Sequence, residues 1–201
     1  MHIGIPFYSE KELKKFKFRS IGKNVLIKKN VGLYFIENIS IGNNVRIDDN
    51  VIIVASKKEN PVKIGNHVHI ASNCYLAGSD GIEIMDFCGL APGVLIFSGS
   101  DDYSGKKLTN PIVLAQKYLK KTIKRSDIGG TFGKVILCKH VIIGANSVIL
   151  PNLTIKEGSC VGALSLVTRR LASWGVYFGI PVKRLKDRSK NLLKLEKMYK
   201  K

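Results

Sequence analysis

From Leu137 onward an aliphatic side chain returns at every sixth position: Leu137, Ile143, Ile149, Ile155, Val161 and Val167. A period of six is neither the 3.6 of a helix nor the strict alternation of a strand. It fits short strands joined by tight corners, one six-residue unit per side of a coil, with the coils stacked into a parallel β-helix. The fifth position of each unit is also small or apolar (Val141, Ser147, Leu153, Ser159, Ser165). Two side chains in six therefore point into a narrow tube.

The same frame recurs upstream, at Ile21, Ile27 and Leu33, at Ile41, Ile47 and Ile53, at Ile64, Ile70 and Leu76, and at Ile84, Leu90 and Ile96. The aliphatic residue defines the frame, so the independent test is the fourth position. It holds Asn or Gly in most units: Asn24, Asn30, Asn44, Asn50, Asn73, Gly93, Gly99, Asn146, Asn152 and Gly158. These residues tolerate the left-handed backbone of a tight corner. The repeat spans residues 21–181.

Three segments stand outside it. Residues 1–20 form a cap, in which Ser9 and Glu12 make a capping box that predicts a short helix from Glu10 to Phe16. Its apolar Leu13 and Phe16 would close the first coil, whose apolar core is otherwise exposed. Residues 102–136 are an insertion too long for a coil corner, and such a loop in a regular repeat points to function. Its Gly129, Gly130 and Gly133 read as hinge or close-approach positions. Residues 182–201 are basic, and a helix is expected from Asp187 to Lys201 with Leu192, Leu195 and Tyr199 on one side.

The units Ile21-Gly22-Lys23-Asn24-Val25, Ile41-Gly42-Asn43-Asn44-Val45, Ile64-Gly65-Asn66-His67-Val68 and Ile143-Gly144-Ala145-Asn146-Ser147 resemble the hexapeptide repeat of left-handed β-helix acyltransferases. The tail Gly179-Ile180-Pro181-Val182-Lys183 is similar to the Gly-x-Pro-x-Lys/Arg segment of the maltose and galactoside acetyltransferase branch. The resemblance implies an all-β, left-handed parallel β-helix and a homotrimer with active sites between subunits. It also implies acetyl-CoA as co-substrate and a sugar or nucleotide-linked amino sugar of bacterial surface polysaccharide synthesis as acceptor. A non-catalytic scaffold and a metal enzyme of the carbonic-anhydrase type are the alternatives on this fold. The latter would need His67, His69 and His140 to converge on a metal, and no metal site is expected.

At 201 residues and 45% hydrophobic, one domain with a full core is expected. No apolar run approaches the roughly 20 residues of a membrane span, and the N-terminal stretch lacks an apolar signal core. A cytoplasmic protein is expected. The four cysteines include no C-x-x-C pair, and Cys74 and Cys88 fall at inward positions as small core fillers.

The net charge of +18, from 33 basic against 15 acidic residues, gathers outside the coils. It lies in Lys11–Arg19, in Lys117–Arg125 of the insertion and in the tail from Lys183. With no helix-turn-helix, RNP or zinc-finger pattern, nucleic acid is not the expected partner. Polyanionic small ligands such as CoA and sugar nucleotides fit better, with weak association to an anionic membrane surface as a second reading.

His69 occupies an outward sixth position on a rigid coil, and an ordinary imidazole pKa of about 6.5 suits a general base near neutral pH. In the resembled branch the segment entering the loop reads Gly-Ser-His-Asp, and that His is the base. Here Ser98-Gly99-Ser100-Asp101-Asp102 puts Asp101 in its place. A neutral amine attacks a thioester without prior deprotonation, unlike a hydroxyl, so the missing His points toward an amino sugar. Asp101 and Asp102 are catalytic candidates beside His69, and the expectation is that His69 of one subunit meets this segment of its neighbour. For the acyl donor, the resemblance places pantetheine against the small residues Ala145, Gly162 and Ala163. It places the phosphates near Thr168, Arg169, Lys183 and Lys186, whose cations would give charge-assisted contacts.

Overall fold

The computed structural model describes residues 4–106 and 129–199. The period of six becomes a three-sided parallel β-solenoid of about seven turns. The first face stacks Ser20–Ile21, Ile39–Ile41, Val62–Ile64, Ile82–Ile84, Val135–Leu137 and Thr154–Ile155. The second stacks Leu26–Ile27, Arg46–Ile47, His69–Ile70, Gly89–Leu90, Ile142–Ile143, Cys160–Val161 and Gly175–Phe178. The third stacks Gly32–Tyr34, Ile52–Val54, Tyr75–Ala77, Leu95–Phe97, Val148–Ile149 and Leu166–Val167.

Alternation along each short strand sends one residue inward and the next outward. The inward set, including Ile27, Ile47, Ile70, Leu90, Ile143 and Ile96, is completely buried and fills the tube. The fifth-position residues are buried with it. Ser147 stays dry at no cost to its hydroxyl, which donates to the Gly162 carbonyl at 2.9 Å. Burial pushes the Cys74 thiol up to about 11 and the Cys88 thiol up to about 12, the behaviour of inert core residues. All four cysteines are free thiols.

The corners turn as expected. Asn24, Asn44, Asn50, Asn73, Gly93, Asn146, Asn152 and Gly158 have φ between +55° and +74°. Asn30 and Gly99 are not in this region; Asn30 instead donates its amide to Asn50 at 2.9 Å.

Outward residues give the three faces different characters. Down the first face the column reads Ser20, Ser40, Lys63, Glu83, Ile136 and Thr154, mostly polar. Down the third it reads Gly32, Ile52, Tyr75, Leu95, Val148 and Leu166, an apolar stripe left half-buried. Down the second it reads Leu26, Arg46, His69, Gly89, Ile142, Cys160 and Val176.

Both ends differ in detail from expectation. The N-terminal helix is only Glu10–Leu13, with the capping box formed and Leu13 buried in the core. Phe16 lies beyond it and packs edge-on against Tyr8. At the other end no helix starts at Asp187. Lys183–Asp187 is a strand that turns back antiparallel on Gly175–Phe178, and the helix is Leu192–Tyr199. The last coil leaves backbone N–H and C=O groups unpaired, and a returning strand satisfies them whatever its side chains are. No described helix is long and apolar enough to cross a membrane.

The insertion springs from the third face. Gly99–Asp101 and Gly130–Phe132 form its antiparallel stem, with Asp101 opposite Gly130. Gly129 lies against Asp102, where a Cβ would fall 2.4 Å from the Asp102 Cβ, so this is a close-approach position. The basic cluster Lys117–Arg125 lies outside the described residues.

Candidate active site

Among the described residues, the second face carries a catalytic-type constellation on its outward column. His69 stands directly above Arg46, one coil away. Asp48 lies two residues after Arg46, so alternation brings its side chain to the same face. His69 Nε2 is 2.7 Å from Asp48 Oδ2, and Arg46 Nε donates to Asp48 Oδ1 at 2.7 Å. The Asp48 side chain is only 10% exposed, against 52% for His69 and 54% for Arg46. Burial alone would raise the Asp48 pKa, but hydrogen bonds from His69 and Arg46 outweigh it and hold the carboxyl below its ordinary value. The ionised carboxylate can only accept, so Nε2 is the nitrogen that donates to it, and Nδ1 is the one turned away from Asp48.

The surroundings of His69 are small. Gly89 is its neighbour on the next coil, and Ala71 follows it on its own. Beyond Gly89 the column rises again at Ile142. Gly89 contributes no side chain beside the imidazole, and the Ile142 side chain leans toward it from the next coil, its Cδ1 3.2 Å from where a Gly89 Cβ would stand.

The other expected groups fall at definite places. Asp101 is exposed at the end of the insertion stem. Asp102 accepts from the Ser104 amide at 2.9 Å, the Ser104 hydroxyl at 2.6 Å and the Lys106 amide at 3.1 Å, which fixes the first turn of the loop. Within the subunit the carboxylate bound to His69 is Asp48, a residue the sequence reading passed over. Ala145, Gly162 and Ala163 gather at one corner, where the Leu164 amide bonds to the Ala145 carbonyl and the Phe178 ring lies against Gly162. Lys183 pairs with Phe178, and Arg169 reaches the Val182 carbonyl at 3.4 Å, so these two cations neighbour that corner. Thr168 is exposed just before Arg169. Lys186 pairs with Val176 and sits farther along the returning strand.

The three candidate metal histidines are drawn apart by their own partners. His67 stacks on Phe87, His140 bonds to Glu196 at 2.8 Å, and His69 bonds to Asp48. Among the described residues no group of three or more His, Cys, Asp or Glu could hold a metal ion.

A hexapeptide solenoid with a carboxylate-held imidazole on one face and an insertion leaving another has the architecture of the β-helix acyltransferase class. The comparisons narrow this. No family model matches the chain. It is 38% identical over 196 residues to the dTDP-4-amino-4,6-dideoxy-D-glucose acyltransferase of Escherichia coli, covering 98% of this chain and 96% of that one. It is 42% identical to AntD, an N-acyltransferase from Bacillus cereus solved with dTDP and 3-hydroxybutyryl-CoA, with a TM-score of 0.85 and 98% and 97% of the chains covered. A maltose O-acetyltransferase from Clostridium difficile 630 shares the fold at 23% identity and a TM-score of 0.57, over 90% of this chain and 75% of that one. The chain belongs to the family of dTDP-amino-sugar acyltransferases and is an acyltransferase.

Proposed function

We propose that this protein transfers an acyl group, acetyl by default, from acyl-CoA to the amino group of a dTDP-linked amino sugar for bacterial surface polysaccharide synthesis. The Arg46–Asp48–His69 group on the second face carries this reading. The amine nitrogen attacks the thioester carbonyl carbon, the C–N bond forms, and the C–S bond then breaks to release CoA as its thiolate, which takes up a proton to become the thiol. The nitrogen sheds a proton on the way, and His69 Nδ1 receives it while Asp48 holds the ring. Because an amine attacks before it is deprotonated, its proton is lost from a cationic nitrogen, an easier task than ionising a hydroxyl. A loop carboxylate can also accept such a proton. Asp101 and Asp102 of a neighbouring subunit therefore orient the amine or share this role.

The protein acts as a cytoplasmic homotrimer in this reading. The half-buried apolar column of the third face is the surface a neighbouring subunit covers, and the insertion stem leaves from the edge of that face. Four free thiols suit a reducing compartment. On the donor side, Ala145, Gly162 and Ala163 let pantetheine approach the backbone, and Thr168, Arg169, Lys183 and Lys186 meet phosphates.

The test is thiol release from acetyl-CoA with a panel of dTDP-amino sugars, the corresponding 4-hydroxy sugars, maltose and a galactoside. Turnover confined to the amino sugars is expected. Turnover of the neutral sugars, with none of the amino sugars, would refute the reading.

A further inference from the structure

The outward column of the second face starts at Leu26, one coil before Arg46 and two before His69. Lys28, two residues after Leu26, lies beside Asp48, because Ile27 pairs with Ile47. Alternation turns its side chain to the same outward side. Two cations, Arg46 and Lys28, therefore flank one carboxylate. Arg46 bonds to it at 2.7 Å. Lys28 is drawn away by the N-terminal segment: its Nζ donates to the Ile5 carbonyl and stands 4.4 Å from the centre of the Phe7 ring.

That segment runs along the open edge of the first coil. The Tyr8 amide donates to the Ile27 carbonyl at 2.8 Å and the Lys29 amide to the Pro6 carbonyl at 3.0 Å, which lays Phe7 antiparallel to Lys28. The pairing covers backbone groups that a first coil otherwise leaves bare, and Pro6 suits such an edge because it has no amide to satisfy. Alternation then separates two aromatics. Tyr8 packs against the core, and Phe7 stays half-buried on the outward side. The capping box fastens the segment further on, where Glu12 closes on Ser9 and also pairs with Lys29 at 2.6 Å.

The Phe7 ring also meets Arg46, whose guanidinium carbon lies 5.7 Å from the ring centroid, within cation–π reach. Arg46 is half exposed, and a long side chain in that position has rotamer freedom to lose. Here it is held from two directions, by Asp48 at Nε and by the Phe7 ring. We propose that Phe7 is a positioning residue for His69. Its ring holds the Arg46 guanidinium, which holds the Asp48 carboxylate, which holds the imidazole at 2.7 Å. The first residues of the chain thus set the geometry of a group two coils away. This rests on the function proposed above, in which His69 receives the proton of the amine.

The test compares Phe7→Leu, which keeps an apolar side chain without a ring, with Phe7→Tyr, which keeps the ring. Each is read by initial-rate thiol release from acetyl-CoA with a dTDP-amino sugar. Each is also read by NMR exchange of the Arg46 Nε proton with water, assigned with Arg46→Lys. Phe7→Leu should lower kcat and speed that exchange by about two- to fivefold each, the scale of an exposed cation–π contact, with KM for both substrates unchanged. Phe7→Tyr should restore both readouts, and on an Arg46→Gln background Phe7→Leu should add no loss. A merely structural Phe7 would lower the melting temperature and leave the Arg46 proton alone. Wild-type exchange in Phe7→Leu, wild-type kcat there while His69→Ala is impaired, or the same loss repeated on Arg46→Gln overturns the proposal at Phe7. Faster exchange in Phe7→Leu together with near-normal turnover in His69→Ala overturns it at the other end: the contact with Arg46 stands, and the base assigned above is wrong.

Discussion

Replacing Asp48 with Asn separates the two jobs that its carboxylate performs. Asp48 accepts from His69 and from Arg46, each at 2.7 Å. An amide keeps one acceptor oxygen but sets an NH2 group against the other donor, so one of the two contacts is lost. Hydrogen bonds to a charged group contribute about 1.5–3 kcal/mol. Both donors are about half exposed, which puts the loss at the lower end, about 1.5 kcal/mol. If that loss is felt in the transition state, turnover falls about tenfold. The assay is initial-rate thiol release at saturating acyl-CoA and dTDP-amino sugar, with thermal unfolding as a control for the fold. The decisive comparison is a double-mutant cycle with His69→Ala. His69→Ala alone should cost about 10²–10⁴-fold, the usual share of general-base catalysis. On that background Asp48→Asn should add nothing, because the ring it positions is gone. A second tenfold loss there would refute the positioning role and show that Asp48 acts through the fold or through Arg46. Near-normal turnover in His69→Ala, with a large loss in Asp101→Asn, would move the base to the loop.

Three further outcomes follow from the same geometry. The Asp48 pKa is depressed in the folded state, so its contribution to stability is present above the unfolded value of about 3.9 and is lost as pH falls below it. Denaturant titrations of wild type and Asp48→Asn should differ at pH 7 and draw together as pH falls through the lowered folded-state pKa of Asp48, and an undiminished gap in strong acid would contradict this. Arg169→Ala and Lys183→Ala should each weaken acyl-CoA binding by about 1–3 kcal/mol without lowering the melting temperature; unchanged affinity by calorimetry would remove them from the phosphate site. Leu95→Glu, a charge in the middle of the apolar third-face column, should turn a trimer into monomers in sedimentation, whereas a wild-type monomer would dismiss the assembly outright.

The solenoid was legible because its physics is local. A six-residue side needs one aliphatic residue inside, a small or apolar one beside it and a left-handed corner, and each requirement leaves a mark at a fixed offset. Even the exceptions obey the mechanics: Asn30 keeps its polar role by bonding to Asn50 although its backbone is not left-handed. The returning strand Lys183–Asp187 left no such mark. All five of its residues are exposed, and its pairing comes from the open backbone edge of the preceding strand rather than from any side-chain pattern. An exposed Lys-Arg-Leu-Lys-Asp segment reads as helix or coil until its partner edge is known.

The site was half legible for a related reason. His69 stands out alone, as an imidazole at an outward position. Asp48 stands out only when the coils are aligned, because its meaning is its height relative to His69 and not its place in the chain. Three six-residue units would fix that alignment, but the corners between Leu33 and Ile39 and between Val54 and Val62 carry extra residues of unequal number. These shift each coil against the last along the sequence while leaving the stacked strands in register. The available signal was the sixth-position column: placing Arg46 beneath His69 puts Asp48, two residues on, within reach of both. A lone outward His and a near-terminal pair of loop aspartates invite a partnership across a subunit boundary. Within one subunit the carboxylate of the preceding coil already satisfies the imidazole at 2.7 Å, and that partner becomes visible only once the coils are stacked.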